Sequence, residues 1–261
     1  MKIDLSNKVA LVTGAAMSIG RKTAEVLAAN GAQVVIADID EAGARKTSSE
    51  IPGSSALRMD VSSEAEVAKG IDWIHSKFGR IDILVNNAGV NTGKHRVTFD
   101  EFPVEEWDRI ISVDLRGLFL VSRAGAAVML RHGGGRIVNI ASVLGVVPAR
   151  LQCAYTAAKA GVVHLTRTMA IELSSRGVLT NAVAPGSVLT AGTEALFYSK
   201  DAIQAERAKS LLAHIPMGRP AHLEEIANAV LFLVAPESGY ITGQTLCVDG
   251  GWTAGGFFRD F

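Results

Sequence analysis

Ser142, Tyr155 and Lys159 are the residues of this chain whose types and spacing fit chemistry best. In Tyr155-Thr-Ala-Ala-Lys159 the phenol and the ammonium stand at i and i+4, which share one face of a helix. A free tyrosine has a pKa of about 10, so only about 0.1% is ionised at neutral pH. A neighbouring ammonium lowers that value. A drop of about two to three units takes about 3–4 kcal/mol of interaction and yields a general base. Ser142, at the end of a strand-like run, would hydrogen-bond and orient a substrate oxygen. Taken alone, the Tyr-Lys pair also fits an ordinary amphipathic helix surface.

A second group of residues fits phosphate binding. Thr13-Gly14-Ala15-Ala16-Met17-Ser18-Ile19-Gly20 joins a strand-like run to a helical one. Small residues let the backbone turn beside a pyrophosphate, and the helix start offers free N–H groups and a positive dipole end. Ser18 stands where the related G-x-x-x-G-x-G pattern has its middle glycine. The next strand ends at Asp38, whose carboxylate would accept bonds from both hydroxyls of an adenosine ribose. It would repel a 2′-phosphate by about 4 kcal/mol at ~4 Å and an effective dielectric near 20. That points to NAD over NADP, and apolar Met17 offers a phosphate no cation. Asp38 or Asp40 also fits a helix N-cap. Asp60-Val61 ends a third strand and fits either an adenine contact or a cap. Asn86-Asn87-Ala88-Gly89 ends a fourth, where the amides would tie strands together beside a ribose or form an Asx-turn. The oxidised nicotinamide's positive charge would then assist Lys159 in acidifying Tyr155.

The elements that must position these groups alternate. Strand-like runs are 9–12, 34–37, 56–59, 81–85, 136–140, 180–183 and 245–248. Helical stretches lie near 19–30, 41–50, 63–78, 101–131, 152–176 and 222–235. This order predicts right-handed β-α-β units and a parallel sheet covered on both faces. The strands are near-continuous apolar runs, as strands buried on both faces should be. Gly31 fits a helix C′ position. His132-Gly-Gly-Gly resembles an esterase oxyanion loop, but G-x-S-x-G is absent, so it reads as a turn. No linker or repeat divides the chain, and one domain over 1–261 is expected. Segments 91–104 and 187–221 follow strand ends, where open α/β sheets bind ligands, and are candidate substrate loops.

Composition narrows the class. The chain has 261 residues, 26 basic and 26 acidic, and 48% of it is hydrophobic. That excludes disorder and gives no basic field for nucleic acid. Glycine, at 26 residues, exceeds the usual share of about 7%, so the excess serves turns and close backbone approaches. No run is long enough to span a membrane, and the N-terminus does not read as a signal peptide. Cys153 and Cys247 form no C-x-x-C, so a cytoplasmic location with no metal site is expected.

Taken together and in order, T-G-x-x-x-S-x-G, N-N-A-G, the Ser142 strand end, Y-x-x-x-K and Pro185-Gly186 resemble the short-chain dehydrogenase/reductase family over essentially the whole chain. The resemblance implies a Rossmann-type three-layer α/β sandwich with a seven-stranded parallel sheet. It implies Tyr155 as general acid/base, Lys159 as its tuner and a ribose ligand, and Ser142 as the substrate-oxygen partner. The cofactor-binding set it implies is Gly14, Met17, Ser18, Ile19, Asp38, Ile39, Asp60, Val61, Asn87, Ala88, Gly89, Tyr155, Lys159, Pro185, Gly186, Val188 and Thr190, with Thr190 near the nicotinamide amide. Asp114 departs from the asparagine that similar members carry. If buried, its carboxylate must pair with a cation such as Lys159 or stay protonated, and pairing would shift the pH optimum.

The resulting expectation is an NAD-dependent oxidoreductase acting on a secondary alcohol or ketone. Asn91, Lys94, His95, Arg150, Gln152, Glu194 and Tyr198 lean towards a polyol, sugar or hydroxy acid. A 3-oxoacyl-type ketoreductase is the alternative, as is a non-catalytic dinucleotide sensor, which would have no use for Ser142, Tyr155 and Lys159 together. A sugar epimerase would show T-G-x-x-G-x-x-G and a longer C-terminal substrate domain. Similar family members self-associate through the helices near 101–131 and 152–176, so a homo-oligomer is expected, tetramer ahead of dimer. His164 reads as a packed or interface residue, and the aromatic tail 257–261 as a docking segment.

Overall fold

The apolar run Val9–Thr13 forms strand β1, and every residue of it is buried. Alternate side chains feed two cores. Ala10 and Val12 join one cluster with Ala24 and Leu27, whereas Val9 and Leu11 join another with Ile71 and Ile74. A strand buried on both faces cannot show an apolar/polar alternation. The computed structural model describes residues 3–93, 95–190, 206, 208, 209 and 212–255. In it β1 pairs in parallel with β2 (Gln33–Asp38) on one side and with β4 (Ile83–Asn86) on the other. β3 (Ser55–Arg58), β5 (Gly135–Ile140), β6 (Val178–Pro185) and β7 (Thr245–Val248) complete a seven-stranded parallel sheet in the order β3-β2-β1-β4-β5-β6-β7. This is the expected Rossmann-type three-layer arrangement.

Helices α1 (Ser18–Ala29) and α7 (Leu223–Val234) cover one face, packed through Ala24, Leu27, Ile226 and Val230. Helices α3 (Glu64–Phe78), α5 (Leu118–Arg131) and α6 (Cys153–Leu173) cover the other. Two further helices are α2 (Glu41–Glu50) and α4 (Val104–Ile111). The strand order reverses between β1 and β4, so their connections leave in opposite directions and open a crevice at the carboxyl edge.

Two details differ from the sequence expectation. The stretch 101–131 is not one helix: a 3-10 turn over Phe99–Glu101 precedes α4, and a π-helical segment, Ser112–Gly117, separates α4 from α5. Apolar periodicity does not register one wider turn. β6 also extends well beyond 180–183 at both ends, because it is flanked by β5 and β7 and its register bonds run on. The His132-Gly-Gly-Gly stretch is a turn between α5 and β5, and Cys153 and Cys247 are free thiols. Among the described residues no helix is long and apolar enough to cross a membrane.

Two glycines make the first β-α turn fit. A Cβ on Gly14 would lie 2.7 Å from Ala88 Cα, and one on Gly20 would run into the Gly14 carbonyl and Asn87 Nδ2. Gly20→Ala should therefore lower stability by about 1–3 kcal/mol through overpacking, read from the denaturant midpoint. An unchanged midpoint would show that the turn has room to spare.

Candidate active site

The first turn is pinned from several sides. Ala15 N–H donates to Ala37 O, and Ala16 N–H donates to Asp38 Oδ2 at 2.9 Å. Thr47 Oγ1 donates to Ala16 O. Just beyond β4, Asn87 Nδ2 donates to the carbonyls of Thr13 and Gly14 at 3.0 and 2.8 Å, while Asn87 and Ala88 N–H both donate to Thr13 Oγ1. Asn86 Nδ2 reaches Asn139 Oδ1 on β5. The tandem asparagines thus tie neighbouring strands together.

Helix α1 starts at Ser18 with no side-chain cap, because Met17 occupies the cap position. Its first N–H groups carry the positive end of the helix dipole. Ser18 holds φ at +54°, a left-handed value that glycine adopts without strain. That explains why the corresponding pattern has glycine there. Asp40, not Asp38, caps α2 by accepting from Gly43 N–H. Asp38 takes one N–H on each oxygen, from Ala16 and Asp40, and each oxygen keeps further acceptor capacity. Met17 and Ile39 beside it are 66% and 60% exposed. Asp60 forms an Asx-turn with Ser62, and Ser63 caps α3. Val61 is buried against Gly117.

At the carboxyl ends of the central strands lies a cleft of ≈ 430 Å³. It brings together Ile19, Asn87, Gly89, Asp114, Ser142, Tyr155, Lys159, Pro185, Gly186, Val188 and Thr190. Gly14, Met17, Ser18, Asp38, Ile39, Asp60, Val61 and Ala88 do not line it; they lie at or just beyond the ends of β1 to β4. Ser142 Oγ accepts from Leu144 N–H at 3.1 Å, which leaves its own proton to donate outward. Gly186 is anchored by its N–H to Val248 O. Ser187 and Leu189 bond the backbone of Ala221.

Lys159 projects from α6 into the buried side of the cleft. Its Nζ donates to Ile140 O at 3.0 Å, lies 3.1 Å from Asp114 Oδ2 and sits 5.6 Å from the Tyr155 ring centre. Asp114 lies in the π-helical segment, and its Oδ1 accepts from Val90 N–H at 2.7 Å. The two residues are almost completely buried, at 4% and 1% exposure. Of the two fates open to a buried Asp114, the structure has it paired with Lys159. Burial opposes charge on Lys159, but the negative charges of the Asp114 carboxylate and of an ionised Tyr155 outweigh it and raise the lysine above its ordinary value.

Some cleft residues escape the motifs. Trp252 lines it, held by a turn in which Asp249 accepts from Gly251 and Thr253 N–H; only its place after a strand end signals it. Arg96, Val143 and Leu144 also line it. Of the polar loop candidates, Asn91 and Gln152 line the cleft, His95 does not, and Arg150 lines a neighbouring pocket. Lys94, Glu194, Tyr198 and the tail 257–261 lie outside the described residues, as does most of 191–211. His164 is exposed beside a shallow groove on α6 and β7.

The chain is similar to known proteins over nearly its whole length. A family model described as Enoyl-(Acyl carrier protein) reductase matches residues 14–253. The 3-oxoacyl-[acyl-carrier-protein] reductase FabG of Escherichia coli (strain K12) is 39% identical over 250 residues, covering 95% of this chain and 98% of that protein. The crystal structure of gox2181 superimposes with a TM-score of 0.90 at 34% identity, over 97% of this chain and 98% of that one. A putative gluconate dehydrogenase from Agrobacterium tumefaciens does so at 0.89 and 34%, with the same two coverages. The fold and these relatives define an oxidoreductase of Rossmann type. The chain belongs to the short-chain dehydrogenase/reductase family.

Because Lys159 is raised in the folded protein, its pairing contributes stability below the lysine's free pKa. That contribution is lost as pH rises through the folded value. Asp114→Asn removes a negative charge from the site and makes nearby proton loss easier. The pH–rate profile should move to lower pH by about one unit, with turnover retained. A superimposable profile would show that the carboxylate has no electrostatic effect on the reaction.

Proposed function

We propose that this protein transfers a hydride between NAD(H) and a secondary alcohol or its ketone, with a polyol, sugar or hydroxy acid as substrate. The observation that carries the reading is the convergence of Ser142, Tyr155 and Lys159 on one cleft at the switch point of the sheet. The residues present fit a dinucleotide. The start of α1 is uncapped, the glycine turn would be filled by any Cβ, and Asp38 keeps acceptor capacity beside exposed Met17 and Ile39. Preference for NAD is supported by the same carboxylate. Arg21 and Lys22, the basic residues at the start of α1, are engaged by Glu25, Glu50 and Glu224 and are not free to meet a 2′-phosphate.

When bound, the cofactor supplies the hydride acceptor or donor. The chain's own groups handle the proton and the oxygen. Ser142 donates a hydrogen bond to the substrate oxygen and fixes its position. Tyr155 takes the hydroxyl proton as an alcohol is oxidised and returns it as a ketone is reduced. Lys159, kept charged by Asp114 and oriented by Ile140 O, sets the field at the phenol and would bond the ribose of the cofactor. Self-association through α4–α5 and α6 is part of this reading, supported by exposed Val104, Trp107, Phe119 and Ile171 on those helices.

A second reading is reduction of a 3-oxoacyl thioester, favoured by the name of the 39% identical relative. A panel of polyols, hydroxy acids, simple alcohols and 3-oxoacyl thioesters, followed at 340 nm with each cofactor, separates the two. The first reading expects NAD to exceed NADP by at least about tenfold in kcat/KM, equivalent to about 1.4 kcal/mol. Asp38→Ala should narrow that ratio. Tyr155→Phe should lower turnover by about 10²–10⁴. Preference for NADP, or turnover that survives loss of the phenol, would overturn it.

A further inference from the structure

Gln152 precedes Tyr155 by one helical turn, lines the cleft, and is only 8% exposed. Its Oε1 is buried and has no hydrogen-bond partner among the described residues. It is not retained as a helix cap, since it stands at the N-cap of α6 and makes no side-chain cap bond. A buried acceptor without a donor is costly, and an amide oxygen accepts only from N–H or O–H. A hydroxyl of a ligand in the cleft would supply the missing donor.

Arg96 lines the same cleft, on the 91–104 segment. The backbone of that segment is held to α4 by Arg109, which donates to Asn91 O at 2.9 Å and is itself paired with Glu106. Lys159 is likewise paired, with Asp114. Among the described residues Arg96 makes no ion pair, so it is the cation of the cleft left open to an anion. A guanidinium binds the oxygens of a carboxylate or phosphate in bidentate fashion.

We propose that Arg96 and Gln152 select a small polyhydroxylated anion as substrate. Arg96 holds the carboxylate or phosphate group, and Gln152 Oε1 accepts from a hydroxyl close to the carbon that reacts at Tyr155. This rests on the redox reading above and names the substrate class for the same cleft. The charge requirement separates a sugar acid or sugar phosphate from a neutral polyol. The hydroxyl requirement separates both from an acyl chain.

The test compares a six-carbon aldonate, a hexitol phosphate, an uncharged hexitol, cyclohexanol and a 3-oxoacyl thioester with the wild-type protein and with R96Q, Q152L and Q152N. NAD affinity by fluorescence reports whether each variant keeps its fold. One of the two anions should exceed the hexitol in kcat/KM by about tenfold or more, mostly through KM, and which one identifies the anion. R96Q should collapse that ratio. Q152L should lower the hexitol-to-cyclohexanol ratio by about tenfold, with Q152N intermediate. Equal use of anions and hexitol, or ratios unmoved in R96Q or Q152L, would overturn the proposal and leave the redox reading standing, whereas turnover confined to the thioester would overturn the proposal together with the first redox reading. Absence of NAD-linked turnover on every compound would overturn both.

Discussion

The site is organised around one buried ion pair. Two nearly inaccessible charges, Lys159 and Asp114, face each other at 3.1 Å. Neither is tolerable alone in that position, since an unpaired buried charge costs several kcal/mol. The pair also joins four parts of the fold. Lys159 belongs to α6 and reaches the end of β5 through Ile140 O. Asp114 belongs to the π-helical segment and fixes the backbone beyond β4 through Val90 N–H. The strand ends, the α4–α5 connection and the helix that carries Tyr155 are therefore held in one geometry by three polar contacts.

The remainder of the carboxyl edge follows the same logic with neutral bonds. The glycine turn has little freedom of its own: Asp38, Thr47 and Asn87 each bind its backbone. Asp38 is thus a structural tie as well as a candidate ribose ligand, and the two uses do not conflict, because a carboxylate oxygen accepts more than one bond. A rigid edge of this kind suits a reaction in which position and field matter more than motion.

Much of this was legible in the sequence because parallel strands and their helices leave strong periodic signals. The seven strands fall within two residues of the strand-like runs, and α1, α2, α3, α6 and α7 match helical stretches that the residues display. Tyr155, Lys159 and Ser142 were legible because spacing on a helix and a strand end translates directly into direction. The hidden parts depend on contacts between distant segments. The π-helical turn that carries Asp114 leaves no periodic mark. Ser18 looks like a harmless small residue until its φ of +54° is known. Asp38, Asp40 and Asp60 read alike as caps; only the register of β2 and β3 separates a loop tie, a helix cap and an Asx-turn. Trp252 and Arg96 reach the cleft from loops whose paths no local pattern encodes.

Asp114 is the buried partner of Lys159, and its effect on that lysine is directly measurable. Titration of the Lys159 ammonium by heteronuclear NMR, assigned by comparison with Lys159→Met, reports the charge of the group in place. The account predicts that Lys159 keeps its proton beyond its free value of 10.5, and that Asp114→Asn brings the midpoint down. A Lys159 that loses its proton below that value in the wild-type protein would contradict the account, because burial would then outweigh the carboxylate.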